Sequence, residues 1–244
     1  DLNASARLLA ELLLDSAAYV ETIADDDAEA RKTALDQFQE TIRQREGLFV
    51  RQLLDLHRFR PADYAANDLP LEEGKWGVDL FSPAALKQFS IAAGGGAAAG
   101  AMAGLTLDAL LGGLSLGTGT LIGAATGAVL GAGRTHGKRL VRRVQGATEL
   151  RCDDTTLLLL QARGLALNAA LLRRGHAAVR PIEPKPRREQ ATDRKRWSRL
   201  FDEARQHPRW TRAIGRAGTG AIDPRRQSIA QEMSDLLGGP LTSL

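Results

Sequence analysis

The sequence contains a single cysteine, Cys152, nine prolines and only 5% aromatic residues. One cysteine excludes an internal disulfide framework and suits a reducing compartment. Scarce proline and aromatics, set beside long Leu, Ala, Arg and Glu runs, point to a mainly helical protein. The four histidines, His57, His136, His176 and His207, are scattered, with no second His or carboxylate at metal-ligand spacing. No G-x-S-x-G elbow is present. Residues 131–139, GAGRTHGKR, fail as a phosphate loop, because five residues separate Gly131 from Gly137 and no Ser or Thr follows Lys138. Residues 214–222, IGRAGTGAI, resemble the GxxG loop of KH domains, but the apolar position is displaced and Pro224 interrupts the helix that should follow, so we read a turn. Nothing argues for catalysis by this chain, and no catalytic, metal or cofactor-binding residue is expected in it. No signal-peptide pattern precedes the first helix, and the first residue is Asp rather than Met, so we expect a piece of a longer protein.

Charge is almost missing from residues 88–133, which hold Asp108 alone in 46 positions, more than half of them Gly or Ala. Gly96, Gly100 and Gly104 recur at spacing four, and Gly119, Gly123, Gly127 and Gly131 do the same. Small residues four apart share a helical stripe and let two backbones approach closely, the GxxxG mode of association. These positions, with Asp108 continuing the first stripe, are the expected helix-packing residues of a hairpin. Ser82-Pro83 gives its first helix an N-cap and a first turn, and that helix is expected to run from residue 83 to about 111.

The rest reads as a helical bundle around this Gly/Ala-rich hairpin, with a small β patch. We expect an amphipathic helical hairpin at 1–60, built from helices at 2–23 and 28–59, with Leu35, Phe38, Ile42, Phe49, Leu53 and Leu56 near heptad spacing and Arg45 breaking the seam. Residues 61–81 form a loop, with a short strand at 78–81. The glycine-zipper hairpin and a basic collar occupy 82–144. A strand-helix-strand or helical segment fills 145–183, with strands at 148–152 and 178–182 flanking a Leu-rich helix that starts at Asp153-Asp154-Thr155. A basic linker and C-terminal helices make up 184–244, the polar stretch 185–196 being read as mobile and helices expected at 197–206 and 224–237. Trp197, Leu200 and Phe201 are read as an apolar docking face.

The net charge of +4 conceals a division. Residues 1–80 carry 17 acidic and 9 basic side chains, whereas residues 134–244 carry 23 basic and 11 acidic. The basic part can meet an anionic surface, of lipid or nucleic acid, or the acidic part of its own chain. Lys87, Arg134, Lys138, Arg139, Arg142 and Arg143 are the expected anionic-surface contacts.

The stretch SPAALKQFSIAAGGGAAAGAMAGLTLDALLGGLSLGTGTLIGAATGAVLGA, then TELRCDDTTLLLL, LLRRGHA and RLFDEARQHPRW, resembles the uncharacterised C-terminal domain that follows an Era-like GTPase domain in certain bacterial proteins. The resemblance covers nearly the whole chain. It implies that GTP and Mg belong to an N-terminal GTPase domain outside this sequence, which contains none of that domain's motifs. Two readings follow. In one, the chain is a non-catalytic effector or regulatory domain on the cytoplasmic face of the inner membrane, associating with lipid through the hairpin and collar, since each zipper segment is about 20 residues, enough to span the hydrocarbon core. Against strong insertion, only 13 of the 46 residues are large and apolar. In the other, it is a soluble cytoplasmic interaction module whose core is the hairpin, covered by the helices of residues 2–59 and the Leu-rich helix. The expected partners are its own GTPase domain, inner-membrane lipid and a second copy of the chain, with a nucleic-acid accessory role third.

Overall fold

The computed structural model describes residues 2–23, 28–59, 71–72, 74–89, 91, 141–144, 147–175, 187–212 and 223–242. It is mainly helical with small antiparallel sheets, as the composition implied. In chain order the elements are α1 (Leu2–Ala18), β1 (Val20–Ile23), α2 (Ala28–Leu56), β2 (Leu71–Glu72), β3 (Lys75–Trp76), α3 (Pro83–Gln88), β4 (Val141–Val144), β5 (Ala147–Arg151), α4 (Asp154–Gly175), α5 (Arg187–Gln206), a 3-10 turn (Pro208–Trp210) and α6 (Pro224–Thr242).

Helix α1 is the axis. Leu9, Leu13, Leu14 and Ala17 are fully buried, and α2, α4, α5 and α6 all pack against this one helix. A helix apolar on nearly every side must be enclosed, and here the enclosure comes from the chain's own helices. The helix is shorter than its periodicity implied. It stops at Ala18, where the Tyr19 amide returns to the Asp15 carbonyl at 3.2 Å, and Val20–Ile23 leaves as a strand. Tyr, Val, Thr and Ile are β-formers, and a strand partner far along the chain decides the outcome. β1 pairs antiparallel with β5 (Val20 opposite Arg151, Ile23 opposite Thr148), and β5 pairs with β4 on its other side (Val141 opposite Leu150, Val144 opposite Ala147). The strand read at 148–152 is thus real and central, while the one read at 178–182 lies outside the described residues.

Helix α2 follows the heptad reading, with Phe38, Ile42, Phe49 and Leu53 buried. Tyr19 stacks on Phe38 at 5.6 Å between ring centroids. The loop at 61–81 contains a short hairpin, β2–β3, in which Gly74 takes φ 78°, a left-handed conformation suited to glycine. Residues 78–81 are a turn and not a strand: the Asp79 carboxylate accepts from the Phe81 amide at 3.0 Å and the Asp79 carbonyl accepts from the Ser82 hydroxyl at 2.8 Å. Asp side chains make such local bonds in competition with a sheet ladder. The Ser82 cap forms, its hydroxyl accepting from the Ala85 amide, with Pro83 in the first turn. α3 then closes at Gln88 instead of continuing: the Phe89 amide still makes the helical bond to the Ala85 carbonyl, but the Ile91 amide returns five residues, to the Leu86 carbonyl. The remainder of that expected helix lies outside the described residues.

Asp153 caps α4, accepting from the Thr156 amide at 2.8 Å. The stretch read as a mobile linker is helical from Arg187, immediately after Pro186. Arg, Glu, Gln and Ala are strong helix formers however polar the run, and proline commonly marks a helix start. Trp197, Leu200 and Phe201 are buried against the core, so the face they make docks onto this chain itself.

One contact sets the spacing of α1 and α4. A Cβ built on Gly164 would lie 2.4 Å from Leu9 Cδ1, whereas one on Gly238 in α6 would meet nothing within 4 Å. Overpacking costs about 1–3 kcal/mol, more than the gain of about 1 kcal/mol from replacing a helical glycine by alanine. Gly164→Ala should therefore lower the urea midpoint, and Gly238→Ala should leave it unchanged or raise it. Equal effects would mean that α1 and α4 do not approach as closely as this.

Candidate functional site

In sequence the Gly/Ala-rich stretch lies between α3 and β4, and the described elements at both of its ends are braced. Before α3, Arg43 of α2 grips Asp79 with two bonds, Nε to Oδ2 at 2.6 Å and Nη2 to Oδ1 at 3.2 Å. Burial alone would raise the Asp79 carboxyl, but the bonds from Arg43 and the Phe81 amide outweigh it and hold the group below the usual carboxylate range. The Arg43 guanidinium also lies 5.3 Å from the Phe81 ring centroid. Trp76 meets Phe89 edge-on at 5.9 Å, and on the same indole rests the Arg163 guanidinium, 4.4 Å from the ring centroid. After the stretch, β4 is held by β5, and β5 by β1.

Arg163 and its counter-ion are the most unusual groups in this region. Arg163 is the one charge within residues 157–172, and α4 carries it into the core, where it is 2% exposed. Glu46 of α2 is 6% exposed, and its Oε1 lies 2.8 Å from Arg163 Nε. The approach is that of an ion pair off the line a hydrogen bond needs, and Arg163 Nη1 and Trp76 Nε1 have no acceptor. Burial pushes the Glu46 carboxyl up to about 7 despite Arg163 and with a smaller push from Asp79, and burial lowers Arg163 as well. Lost hydration thus works against the charged form of both partners, and their mutual attraction offsets part of it.

A second charged node joins the chain's ends. Arg226 of α6, 5% exposed, donates from Nη2 to Glu11 at 2.7 Å and to Asp15 at 2.8 Å, both on α1, and from Nε to the Trp210 carbonyl at 2.9 Å. Arg212 reaches Glu11 at 3.4 Å. Arg45, the residue that broke the heptad seam, reaches Asp15 at 3.9 Å and donates to the Arg212 carbonyl at 3.1 Å. Burial raises the Asp15 carboxyl, the attraction of Arg226 offsetting part of that rise. The basic part of the chain thus meets its own acidic part through Arg163, Arg212 and Arg226, one of the two outcomes the charge division allowed.

Of the expected anionic-surface residues, Lys87 is exposed in the last turn of α3. Arg142 and Arg143 lie on β4, in register with Glu149 and Thr148 of β5. Arg134, Lys138 and Arg139 lie outside the described residues, as do the helix-packing positions Gly96, Gly100, Gly104, Asp108, Gly119, Gly123, Gly127 and Gly131. Among the described residues no group of three or more His, Cys, Asp or Glu could hold a metal ion. Cys152 is buried, and burial pushes its thiol up to about 12, which keeps it protonated at neutral pH. Also among the described residues, Asp154–Leu172 of α4 is the one helical stretch long and apolar enough to cross a membrane, and more than half of it is buried within the protein. Sequence reasoning overlooked Glu46, Trp76, Arg163 and Arg226. A lone arginine inside a Leu-rich run was the available signal for Arg163.

These features define a class: a mainly helical, internally ion-paired domain whose sequence carries a Gly/Ala-rich stretch between α3 and β4. Residues 2–235 match DUF3482, a domain of unknown function, and the chain belongs to that family. Neither a curated protein nor a solved structure matches it.

Proposed function

We propose that the chain is a non-catalytic effector or regulatory domain of a bacterial GTPase, and that it associates with the inner membrane through the Gly/Ala-rich stretch and its basic flanks. The observation that carries this reading is where the apolar faces of α2 and α4 go. As a soluble core, the stretch of residues 92–133 would need those faces as its cover. Among the described residues those faces are engaged by the chain's other helices: Phe38 lies on Tyr19, Leu9 lies against Gly164, and α1, α2 and α4 pack on one another. A long stretch with Asp108 as its one charge is compatible with lipid. The GTPase link rests on the resemblance and the nucleotide sites would belong to that other domain. A soluble interaction module is the second reading, favoured by the scarcity of large apolar residues in the stretch.

Fractionation of the full-length protein tests this directly. The expected result is a membrane-bound pool that resists both salt and carbonate washes. Replacing Arg134, Lys138, Arg139, Arg142 and Arg143 together by Gln should weaken liposome binding at low salt, each cation near an anionic surface contributing about 1 kcal/mol, with the helical signal intact. Recovery of all the protein in the soluble fraction would return the interaction module as the reading.

A further inference from the structure

The two halves of α5 differ in how their charges are used. Toward its C-terminus every charge is engaged: Arg205 holds Asp154 and Asp202, and Glu203 is held by Arg225. Toward its N-terminus cations outnumber acids. Residues 187–199 contain six Arg or Lys and two acidic residues. Arg194, Lys195, Arg196 and Arg199 are all exposed, and from α6 only Glu232 answers them, bonding Arg199 and lying 3.7 Å from Arg196. Arg194 and Lys195 have no counter-ion among the described residues. Trp197, Leu200 and Phe201 anchor the helix to the core, with Lys195 and Arg199 on its far side and Arg194 and Arg196 at its flanks. Beside them, Arg194 and Ser198 rim a recess of about 150 Å³ with Leu158 and Trp197 in its lining. Asp154 also lines it, and its carboxylate is held by Arg205 at 2.6 Å. Since a water molecule occupies about 30 Å³ of liquid, the recess has room for a phosphate group.

We infer that this face of α5 is a docking surface for an anionic membrane, with Arg194 and Lys195 as its principal contacts and lipid headgroup phosphate as the ligand chemistry. The inference rests on the membrane reading above and adds a surface which that reading does not contain. Excess exposed cations on a helix anchored to the core match a negatively charged leaflet, and each such cation near the surface strengthens binding by a factor of about five.

The test is co-sedimentation of the full-length protein with phosphatidylglycerol/phosphatidylcholine vesicles at low salt. Arg194→Gln/Lys195→Gln should weaken binding about 30-fold. Arg225→Gln, which removes an exposed cation held by Glu203, should change it by less than about two-fold. Both sites are exposed, so circular dichroism should show an unaltered helical fold. If the wild-type protein binds no vesicles, the membrane reading fails and this inference with it. Wild-type binding that the double variant leaves unchanged overturns this inference alone. An equal loss with Arg225→Gln would make net charge, not this face, responsible. Loss of single-stranded oligonucleotide binding with vesicle binding intact would reassign the face to nucleic acid.

Discussion

Replacing Arg163 with methionine is expected to destabilise the fold by about 3–5 kcal/mol at pH 8, because it leaves the Glu46 carboxylate in the core without a cation. The loss should shrink as pH falls, since an unpartnered buried carboxyl takes up a proton and ceases to be a charge. Glu46→Met together with Arg163→Met should return the protein to wild-type stability or beyond, as replacing a buried ion pair by apolar side chains often does. The wild-type pH dependence follows from the same group. Glu46 stands at about 7 in the folded protein against 4.5 as its ordinary value, so between those values the folded state holds a proton that the unfolded chain releases. Its contribution to stability is full below about pH 4.5 and lost as pH rises toward 7, with a ceiling of roughly 3 kcal/mol. Urea unfolding at pH 5 and pH 8 measures all of this. A double variant as unstable as Arg163→Met would show that the pair's charges are not the cause and that the packing of the guanidinium on Trp76 is.

The buried Glu46–Arg163 pair lies close to the point where the Gly/Ala-rich stretch begins. Trp76 touches both Arg163 and Phe89, and Phe89 closes the helix from which the stretch departs. The chain of contacts therefore runs from Glu46 on α2, through Arg163 on α4, to the base of the segment proposed to meet lipid.

Much of the fold was legible because its signals are local. The Ser82-Pro83 start, the Asp153 cap, the period of α2 and the Leu-rich run of α4 each depend on residues within a turn or two of one another. What misled was non-local. Val20–Ile23 fits a helical period as well as a strand, and only β5, more than a hundred residues on, decides between them. Polar composition at 187–196 was mistaken for mobility, although its residues are good helix formers and Trp197 anchors the helix they begin. The charge division was visible in the sequence, but not which acids meet which bases: Glu11 and Arg226 are joined across 215 positions. The candidate site suffered most, since Arg163 and Trp76 have meaning only once α4 lies beside the β2–β3 hairpin.

That long-range pairing makes the second large expectation. Arg226→Met should destabilise the protein by about 3–5 kcal/mol, because Arg226 is the group both Glu11 and Asp15 bond, and α6 is the element that packs most extensively on α1. Without it, the two carboxylates, one helical turn apart, face each other across a partly buried site with only Arg45 and Arg212 at longer range. Arg226→Lys should recover part of the loss and not all of it, since an ammonium keeps the charge but cannot hold Glu11, Asp15 and the Trp210 carbonyl in one planar fork. Adding Glu11→Gln and Asp15→Asn to Arg226→Met should also restore stability in part by removing the uncompensated acids. Denaturant unfolding gives the magnitude, and hydrogen exchange gives the location: amides of α6 should lose protection before those of α2 and α4. If Arg226→Met costs less than about 1 kcal/mol, the scale of an exposed pair, the node is superficial and α6 is held by its apolar face, Met233, Leu237 and Leu241, alone.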